Sequence, residues 1–312
     1  MTRAARRAVS AAVTLALVSV VVFALASTLP GGDEEDENDR PLPPDYLAAV
    51  RAQFHLDEPW HLRYARWIGD LSHGDLGVSL REKRPVSSIL RERLPVSLAL
   101  NAAALCAIVL LAVPLGIAGA WRPASRPDRL LALGTTALYA VPVFWAALLL
   151  QWVFAVRLGW LPLFGFAGET LVDRAAHLIL PVACLTYGGL AYVSRFVRTA
   201  IVEGTTGEGG RVARARGVGP LRFLLVHGLR QAAIPLLTLA GFLIPRLVGG
   251  SLLIEEIFGV PGLGSLMFQS VLARDLPVVL ALTLLSGTVT LVAMTGADVL
   301  AAWVDPRSRR VT

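Results

Sequence analysis

Long uncharged stretches dominate the chain. Six of them are long enough to cross a bilayer as helices: residues 8–29, 94–121, 130–156, 175–194, 231–254 with Arg246 inside it, and 277–297. About 20 apolar residues span the hydrocarbon core, and backbone amides in lipid need partners within their own segment. The runs also lack the ten-residue alternation of barrel strands. The pattern therefore predicts an all-α polytopic membrane protein with six transmembrane helices.

The first run has two interpretations. Three arginines precede it, and the small residues at 24–26 resemble a signal-peptide cleavage site. The uncharged run at residues 8–29 is, however, longer than the apolar core of about 7–15 residues that is usual in a signal peptide. The sequence favours a membrane anchor, and the signal peptide is the less favoured alternative.

The segment between the first two runs, residues 30–93, is predicted to be a large loop outside the membrane. It opens with an acidic block at 33–39, which repels itself and favours a solvated tether. Apolar residues at roughly helical spacing follow in residues 45–71 and predict amphipathic helices. The predicted plan is a cytoplasmic tail (1–7), a first span (8–29), this outer loop (30–93), a membrane-embedded core (94–305) and a second tail (306–312).

Arginines in the short loops predict the orientation, because positive charge close to a span resists export. One side collects the clusters at 3–7, 122–129, 195–230 and 307–310, whereas the other side has few in its short loops. Both termini are therefore predicted to be cytoplasmic, with a long cytoplasmic loop at residues 195–230.

Composition narrows the function. Hydrophobic residues make up 55% of the 312 residues, and the mean hydropathy is +0.62. The net charge of +6 fits an anionic cytoplasmic membrane face and not nucleic acid. Lys83 is the only lysine and lies outside any Walker A pattern, so the chain cannot hold that nucleotide site. No recognisable hydrolase or metal motif is present either. The chain is predicted to be non-catalytic and to bind no metal.

The long cytoplasmic loop carries an ordered motif. Small residues, arginines and a glycine alternate and are followed by a histidine and a leucine at fixed spacing: Ala213, Arg214, Ala215, Arg216, Gly217, Val218, His227 and Leu229. Small residues allow a partner to approach, and glycine permits a sharp turn. The motif resembles the ATPase-coupling loop of ABC importer permeases, specifically those of the dipeptide, oligopeptide and nickel family.

Further motifs in the same family order cover nearly the whole chain. They include residues 54–59, 69–71, 74–79 and 84–86 in the outer loop, and 249–251, 261–264, 274–279 and 305–307 near the C-terminus. Three positions depart from the family pattern: glycines at 209 and 210 replace a Tyr-Val pair, and Met294 stands where asparagine is common. The first departure predicts a shorter or more mobile entry to the coupling loop.

The resemblance implies the type I ABC importer fold and alternating access, with di- or oligopeptides as cargo. Nickel or another small solute is the alternative cargo, and an ATP-independent secondary transporter is the alternative class. The implied partners are a second related permease, two ATP-binding subunits that hold ATP and Mg²⁺, and an extracytoplasmic solute-binding protein. This chain would need no cofactor of its own. Its implied location is the bacterial cytoplasmic membrane.

Residues near the fifth run are candidates for the solute pathway or outer gate: Arg246, Glu255, Phe258, Pro261, Gly262 and Gly264. A charge inside a span tends to face the bundle interior or a paired carboxylate, which leaves pathway lining and a purely structural role both open for Arg246. Glu255 and Phe258 fit either a gate or an interfacial turn with an aromatic anchor.

Overall fold

The computed structural model describes residues 3–28, 58–166, 170–206, 211–212, 215–219, 223, 243 and 251–304. The elements in this part of the chain are helices: α1 (Arg3–Thr28), α2 (Trp60–Ser72), α3 (Val86–Trp121), α4 (Arg126–Ala140), α5 (Val143–Leu150), a π-helical segment (Gln151–Arg157), α6 (Leu171–Thr206), α7 (Leu252–Phe258), α8 (Leu263–Leu272) and α9 (Leu276–Val304). Extended pairing in the described residues is limited to one isolated bridge between Val78 and Pro85.

Three of these helices are long and apolar enough to cross a membrane: Val86–Trp121, Val172–Thr206 and Leu276–Ala297. Two bent pairs, α4 with the helix that continues to Arg157, and α7 with α8, raise the number to as many as five. The apolar part of α1, Ala12–Leu25, is shorter than such a span. The predicted all-α membrane fold is confirmed, while most of the fifth predicted run, 231–250, lies outside the described residues apart from Leu243.

The third predicted run, 130–156, differs from the expected single span. Its two halves meet at an angle of 88°, and the break falls at Val141 and Pro142. Val141 is extended, with φ −80° and ψ 125°, because a following proline disfavours helical geometry in the residue before it. Pro142 then starts the next helix, where a missing N–H costs nothing.

The fold divides into two compact units. Unit one contains Met1–Pro95 and Leu266–Leu291. Within it, α2 packs on α1: the Tyr64 and Trp67 rings contact Phe23, and Tyr64 is hydrogen-bonded to Ser19 at 2.8 Å. No residue of α2 is fully buried, as expected for an amphipathic helix that meets its neighbour along one face.

Unit two contains Val96–Ser265 and Val292–Thr312. Within it, α3 and α6 share one cluster of buried side chains: Ile108, Ala112, Ala120, Val193, Val197, Ala200 and Ile201. Small residues bring the two backbones close, as is common between helices in membranes. A Cβ atom added to Gly116 would lie 2.7 Å from the Val197 Cβ, which leaves no room for a side chain.

Helices α3 and α6 each contain 36 residues, or about 54 Å at 1.5 Å per residue. That exceeds the bilayer core of about 30 Å. Each helix therefore extends beyond the hydrocarbon region, and the C-terminal end of α6 leads into the predicted coupling loop.

Candidate functional site

The predicted coupling motif contains a turn at Gly217. The Arg216 N–H donates to the Val212 carbonyl at 3.1 Å, and the Phe223 N–H donates to the Gly219 carbonyl at 2.8 Å. One helical turn thus ends before Gly217 and another begins after it. Gly217 has φ +72°, the left-handed conformation that commonly ends a helix and that glycine adopts at low cost.

The turn at Gly217 is open to its surroundings. Ala215, Arg216 and Gly217 are exposed and Val218 is half-buried, and a Cβ atom on Gly217 would meet nothing within 4 Å. The glycine is therefore required by backbone conformation and not by crowding within this chain. Ala213, Arg214, His227 and Leu229 lie outside the described residues, and the coupling role of the motif stays a prediction.

A second candidate site is the bend between α7 and α8, where the chain turns by 90°. The α7 helix ends at Phe258, followed by Gly259 in the left-handed conformation with φ +64°. Glu255 lies at the centre of the bend and is fully buried, with 0% of its surface exposed. A buried carboxylate is stable only when its oxygens accept enough hydrogen bonds.

The Glu255 carboxylate accepts hydrogen bonds on both oxygens. Oε2 accepts from the N–H groups of Gly264 and Ser265, at 2.7 and 3.0 Å, in the first turn of α8. Oε1 accepts from the Ser251 N–H at 3.2 Å and from the Ser97 hydroxyl at 3.0 Å. The negative charge lies at the N-terminus of α8, where exposed N–H groups and the helix dipole favour an anion. Glu255 therefore joins α3, α7 and the start of α8.

Two glycines leave room for this carboxylate. A Cβ atom on Gly262 would overlap the Glu255 carboxylate and the Ser97 hydroxyl, and one on Gly264 would lie 2.7 Å from the Leu252 backbone nitrogen. Both glycines are buried and Pro261 between the helices is half-buried. The small residues of this turn are thus explained by close packing.

A buried side-chain amide also stabilises the bend. The Gln151 side chain, at the start of the π-helical segment, donates to the carbonyls of Leu163 and Ile257, at 2.9 and 3.2 Å. The Gly165 N–H donates to the Phe258 carbonyl at 2.8 Å. Phe258 itself is 3% exposed and belongs to an apolar cluster with Leu100, Ala147, Leu180, Cys184, Ile254 and Val260.

These contacts refine the predicted gate residues. Glu255 and Phe258 are buried, so in this conformation their side chains position the bend and do not line an open surface. Arg246 lies outside the described residues. Ser97 and Gln151 were not predicted as site residues. Each is a polar residue within an apolar run, and this pattern indicates a buried hydrogen-bonding partner.

A separate buried carboxylate organises unit one. Asp275 is 1% exposed and accepts a short hydrogen bond from the Ser79 hydroxyl and another from the Leu80 N–H at 3.1 Å. Two family motifs distant in sequence, 74–79 and 274–279, therefore meet at these side chains.

Nearby, hydrogen bonds to Glu92 and Glu82 raise the pKa of Arg84, so this arginine keeps its charge at any physiological pH.

Comparisons with known protein families agree with the motifs. Residues 112–310 match the family described as "Binding-protein-dependent transport system inner membrane component". Residues 1–101 match the N-terminal domain of the same kind of membrane component. The two matches together cover nearly the whole chain.

Individual relatives are similar over nearly their full length. The oligopeptide transport system permease protein AppB of Bacillus subtilis is 35% identical, with 93% of each chain covered. The permease OppB of Haemophilus influenzae is 35% identical, covering 97% of this chain and 98% of OppB. The glutathione transport system permease protein GsiC of Salmonella paratyphi A is 36% identical, with 95% of each chain covered. These values confirm the predicted family.

The fold resembles a solved transporter. A chain of the inward-facing MetNI methionine ABC transporter superposes with a TM-score of 0.56 at 18% identity, covering 70% of this chain and 97% of that chain. The fold is therefore that of type I ABC importer membrane subunits. The chain belongs to the inner-membrane components of binding-protein-dependent transport systems, which are multi-pass membrane subunits that work with ATPase and binding-protein partners.

Proposed function

We propose that this chain is the non-catalytic permease subunit of an ATP-driven importer for short peptides. The observation that carries the cargo class is the agreement among relatives: AppB and OppB are named for oligopeptides and GsiC for glutathione, itself a tripeptide. These relatives match over at least 93% of both chains, so the similarity includes the regions that face the solute. Nickel or another small solute is the second candidate cargo.

The working unit is a complex of several chains. This subunit pairs with a second, related permease, and two ATP-binding subunits attach to the cytoplasmic side. A solute-binding protein delivers cargo from the outside. ATP and Mg²⁺ belong to the partner ATPases, and this chain needs no cofactor of its own. The complex lies in the bacterial cytoplasmic membrane with both termini of this chain in the cytoplasm, as the arginine distribution favours.

The coupling loop is the contact with an ATPase subunit. The exposed turn at Gly217 fits a groove on the partner, because glycine has no side chain and the backbone there can approach closely. Ala213, Arg214, Ala215, Arg216, Val218, His227 and Leu229 shape this contact. Closure of the ATPases would move the loop, and α6, which leads into it, would carry the motion into the bundle.

The bend between α7 and α8 is the candidate outer gate. The Glu255 carboxylate holds the bend as one stiff unit, so the turn of Pro261, Gly262 and Gly264 keeps its shape while the helices around it move. Arg246 is the candidate for contact with the pathway, since a charge at that depth needs an aqueous or charged neighbour.

Transport by the reconstituted complex tests this function. The complex is placed in vesicles with the binding protein outside and ATP with Mg²⁺ inside, and an isotope-labelled tripeptide pool is the probe. Uptake should require ATP and the binding protein and should persist when ion gradients are collapsed. Parallel vesicles receive ⁶³Ni²⁺ alone. Nickel uptake without peptide uptake would refute the peptide cargo, and gradient-driven uptake without ATP would refute the ABC mechanism.

A further inference from the structure

Asp128 and Arg198 are joined by a two-point ion pair in unit two. The guanidinium Nε lies 2.6 Å from Asp128 Oδ1, and Nη2 lies 2.6 Å from Oδ2. Asp128 is 4% exposed, so its charge is nearly removed from solvent. A fork of this kind fixes the orientation of both side chains as well as their distance. Loss of either partner would leave the other charge uncompensated.

The same carboxylate fixes the short loop between α3 and α4. Asp128 Oδ2 also accepts the Ala124 N–H at 2.8 Å. Ala124 has φ +63°, a left-handed conformation that is unfavourable for any residue with a Cβ atom. Such a conformation persists only where the surrounding structure enforces it, and residues strained in this way are concentrated at functional sites. Ser125 completes the arrangement as the N-cap of α4.

The end of α3 is shaped to receive the pair. A Cβ atom on Gly119 would lie 3.1 Å from Arg198 Cδ and 3.2 Å from Asp128 Oδ1. The arginine stem and the carboxylate therefore lie directly over this glycine. Three helix ends, the C-terminal part of α3, the first turn of α4 and the C-terminal part of α6, meet at one ion pair.

The position of Arg198 links this junction to the coupling loop. Arg198 lies in the part of α6 that ends at Thr206, about 12 Å before that end at 1.5 Å per residue. The residues that follow α6 contain the coupling motif. A displacement of the coupling motif would therefore be transmitted along this last part of α6. It would reach Arg198 and its ion pair before it reaches the rest of the helix.

We propose that Asp128 and Arg198 are positioning residues that make the cytoplasmic ends of α3, α4 and α6 move as one body when the coupling loop is displaced. This inference rests on the proposed role of the loop as the ATPase contact. Without the pair, α6 could shift alone, and ATP hydrolysis would be transmitted poorly to α3 and α4.

A distance measurement in the full complex tests the proposal directly. Spin labels are attached at Trp121→Cys, the end of α3, and Thr206→Cys, the end of α6, with the exposed Cys106 replaced by alanine. The distance is recorded without nucleotide and after vanadate trapping. One narrow distribution, the same in both states, is expected with the pair intact, and a broadened or shifted one after trapping with Asp128→Asn or Arg198→Gln. A parent distance that changes on trapping would overturn the proposal, as would variants that behave like the parent.

Transport efficiency supplies a readout that a merely structural role would not move. At equal amounts of assembled complex, tripeptide uptake per ATP hydrolysed should fall about fivefold or more in Asp128→Asn, within the usual range of coupling effects. Asp173→Asn is the matched control, since Asp173 also lies in the first turn of a helix but bonds locally to Thr170. Unchanged efficiency in Asp128→Asn would contradict the inference.

Failure of this inference and failure of the proposed function are distinguishable. If the coupling loop is not the ATPase contact, changes at Gly217 will leave the ATPase association intact. The Asp128 and Arg198 variants are instead expected to retain the ATPases on co-purification and to lose only the transmission. If the parent Trp121–Thr206 distance varies while Gly217 variants lose the ATPases, the ion-pair proposal alone is wrong.

Discussion

The Ser97 hydroxyl donates a 3.0 Å hydrogen bond to Glu255, 158 residues further along the chain, and accepts the Leu263 N–H at 2.7 Å. One serine in α3 thereby contacts both the last turn before the bend and the first residue after it. Glu255 and Ser97 form the centre of a polar network inside an apolar bundle, where an unpaired group is costly.

Glu255→Gln should destabilise the purified complex. The carboxylate accepts from four donors, whereas an amide has one acceptor oxygen and places its own NH₂ against N–H groups. We expect a loss of about 1.5–3 kcal/mol, the range for hydrogen bonds to charged groups, measured as a lower Tm in detergent. Ser97→Ala should cost less, because the carboxylate keeps three of its donors, although the Leu263 N–H also loses its acceptor. Glu256→Gln, at the half-exposed neighbouring position, is the control, and an equal drop in Tm there would argue against the network.

Gly262→Ala should disturb the same bend by crowding. The added methyl group would overlap the Glu255 carboxylate and the Ser97 hydroxyl, which is expected to cost about 1–3 kcal/mol. Gly296→Ala in α9 is the matched control, because a Cβ atom there meets nothing within 4 Å. Thermal unfolding that is equally affected at both positions would show that the crowding at Gly262 is not the cause.

Reporter fusions test the predicted membrane topology of the chain. A reporter at Thr312 should be active as a cytoplasmic fusion, and one inserted within residues 33–39 should report the outside, because arginine is concentrated on the side that holds both termini. Two reporters on the same side would mean that the predicted number of spans is wrong.

Arg246→Leu should impair transport more than insertion. A buried charge is costly without a charged or aqueous partner, so its removal favours insertion but deletes a contact. One charge-assisted hydrogen bond contributes about 1.5–3 kcal/mol, so peptide uptake is expected to fall about tenfold or more. Arg246→Lys keeps the charge and should retain part of the activity. Full uptake by the leucine variant would leave Arg246 with a structural role only.

Local features of this molecule could be predicted where they depend on nearby residues. The long apolar runs predicted helices, and the glycine in the loop motif predicted a sharp turn at Gly217, where φ is positive. The bend at Val141 was also signalled, because Pro142 follows it, but prolines occur inside spans often enough that the run was interpreted as continuous. Local chemistry alone does not decide whether a proline bends a helix or ends it.

The contacts between distant residues could not be predicted. Glu255 was predicted to belong either to an outer gate or to an interfacial turn, since a glutamate at the end of a span has a low cost. Its burial depends on Ser97, Gly262 and the α8 amides, which converge only after the helices pack. Arg198 was predicted only as part of the cytoplasmic cluster at 195–230, and its pairing with Asp128 depends on the close approach of α3 and α6 at Gly116 and Gly119.

The loop around Gly217 is proposed to couple this permease to its ATPases. A left-handed backbone costs a residue with a Cβ atom about 1–2 kcal/mol, and a β-branched side chain would also block close approach. Gly217→Val should therefore insert normally but weaken ATPase association about tenfold, and Ala213→Glu should act similarly by adding bulk and charge. Gly219→Val is the matched control, because Gly219 lies in the same loop in open space without a positive φ.

The decisive measurement is co-purification of the ATPase subunits with the permease, combined with solute-stimulated ATP hydrolysis in vesicles. If the loop is the ATPase contact, Gly217→Val and Ala213→Glu lose both, while Gly219→Val and Arg222→Gln, which lie outside the motif at 213–218, keep most of each. Normal assembly and normal stimulation in both Gly217→Val and Ala213→Glu would contradict it.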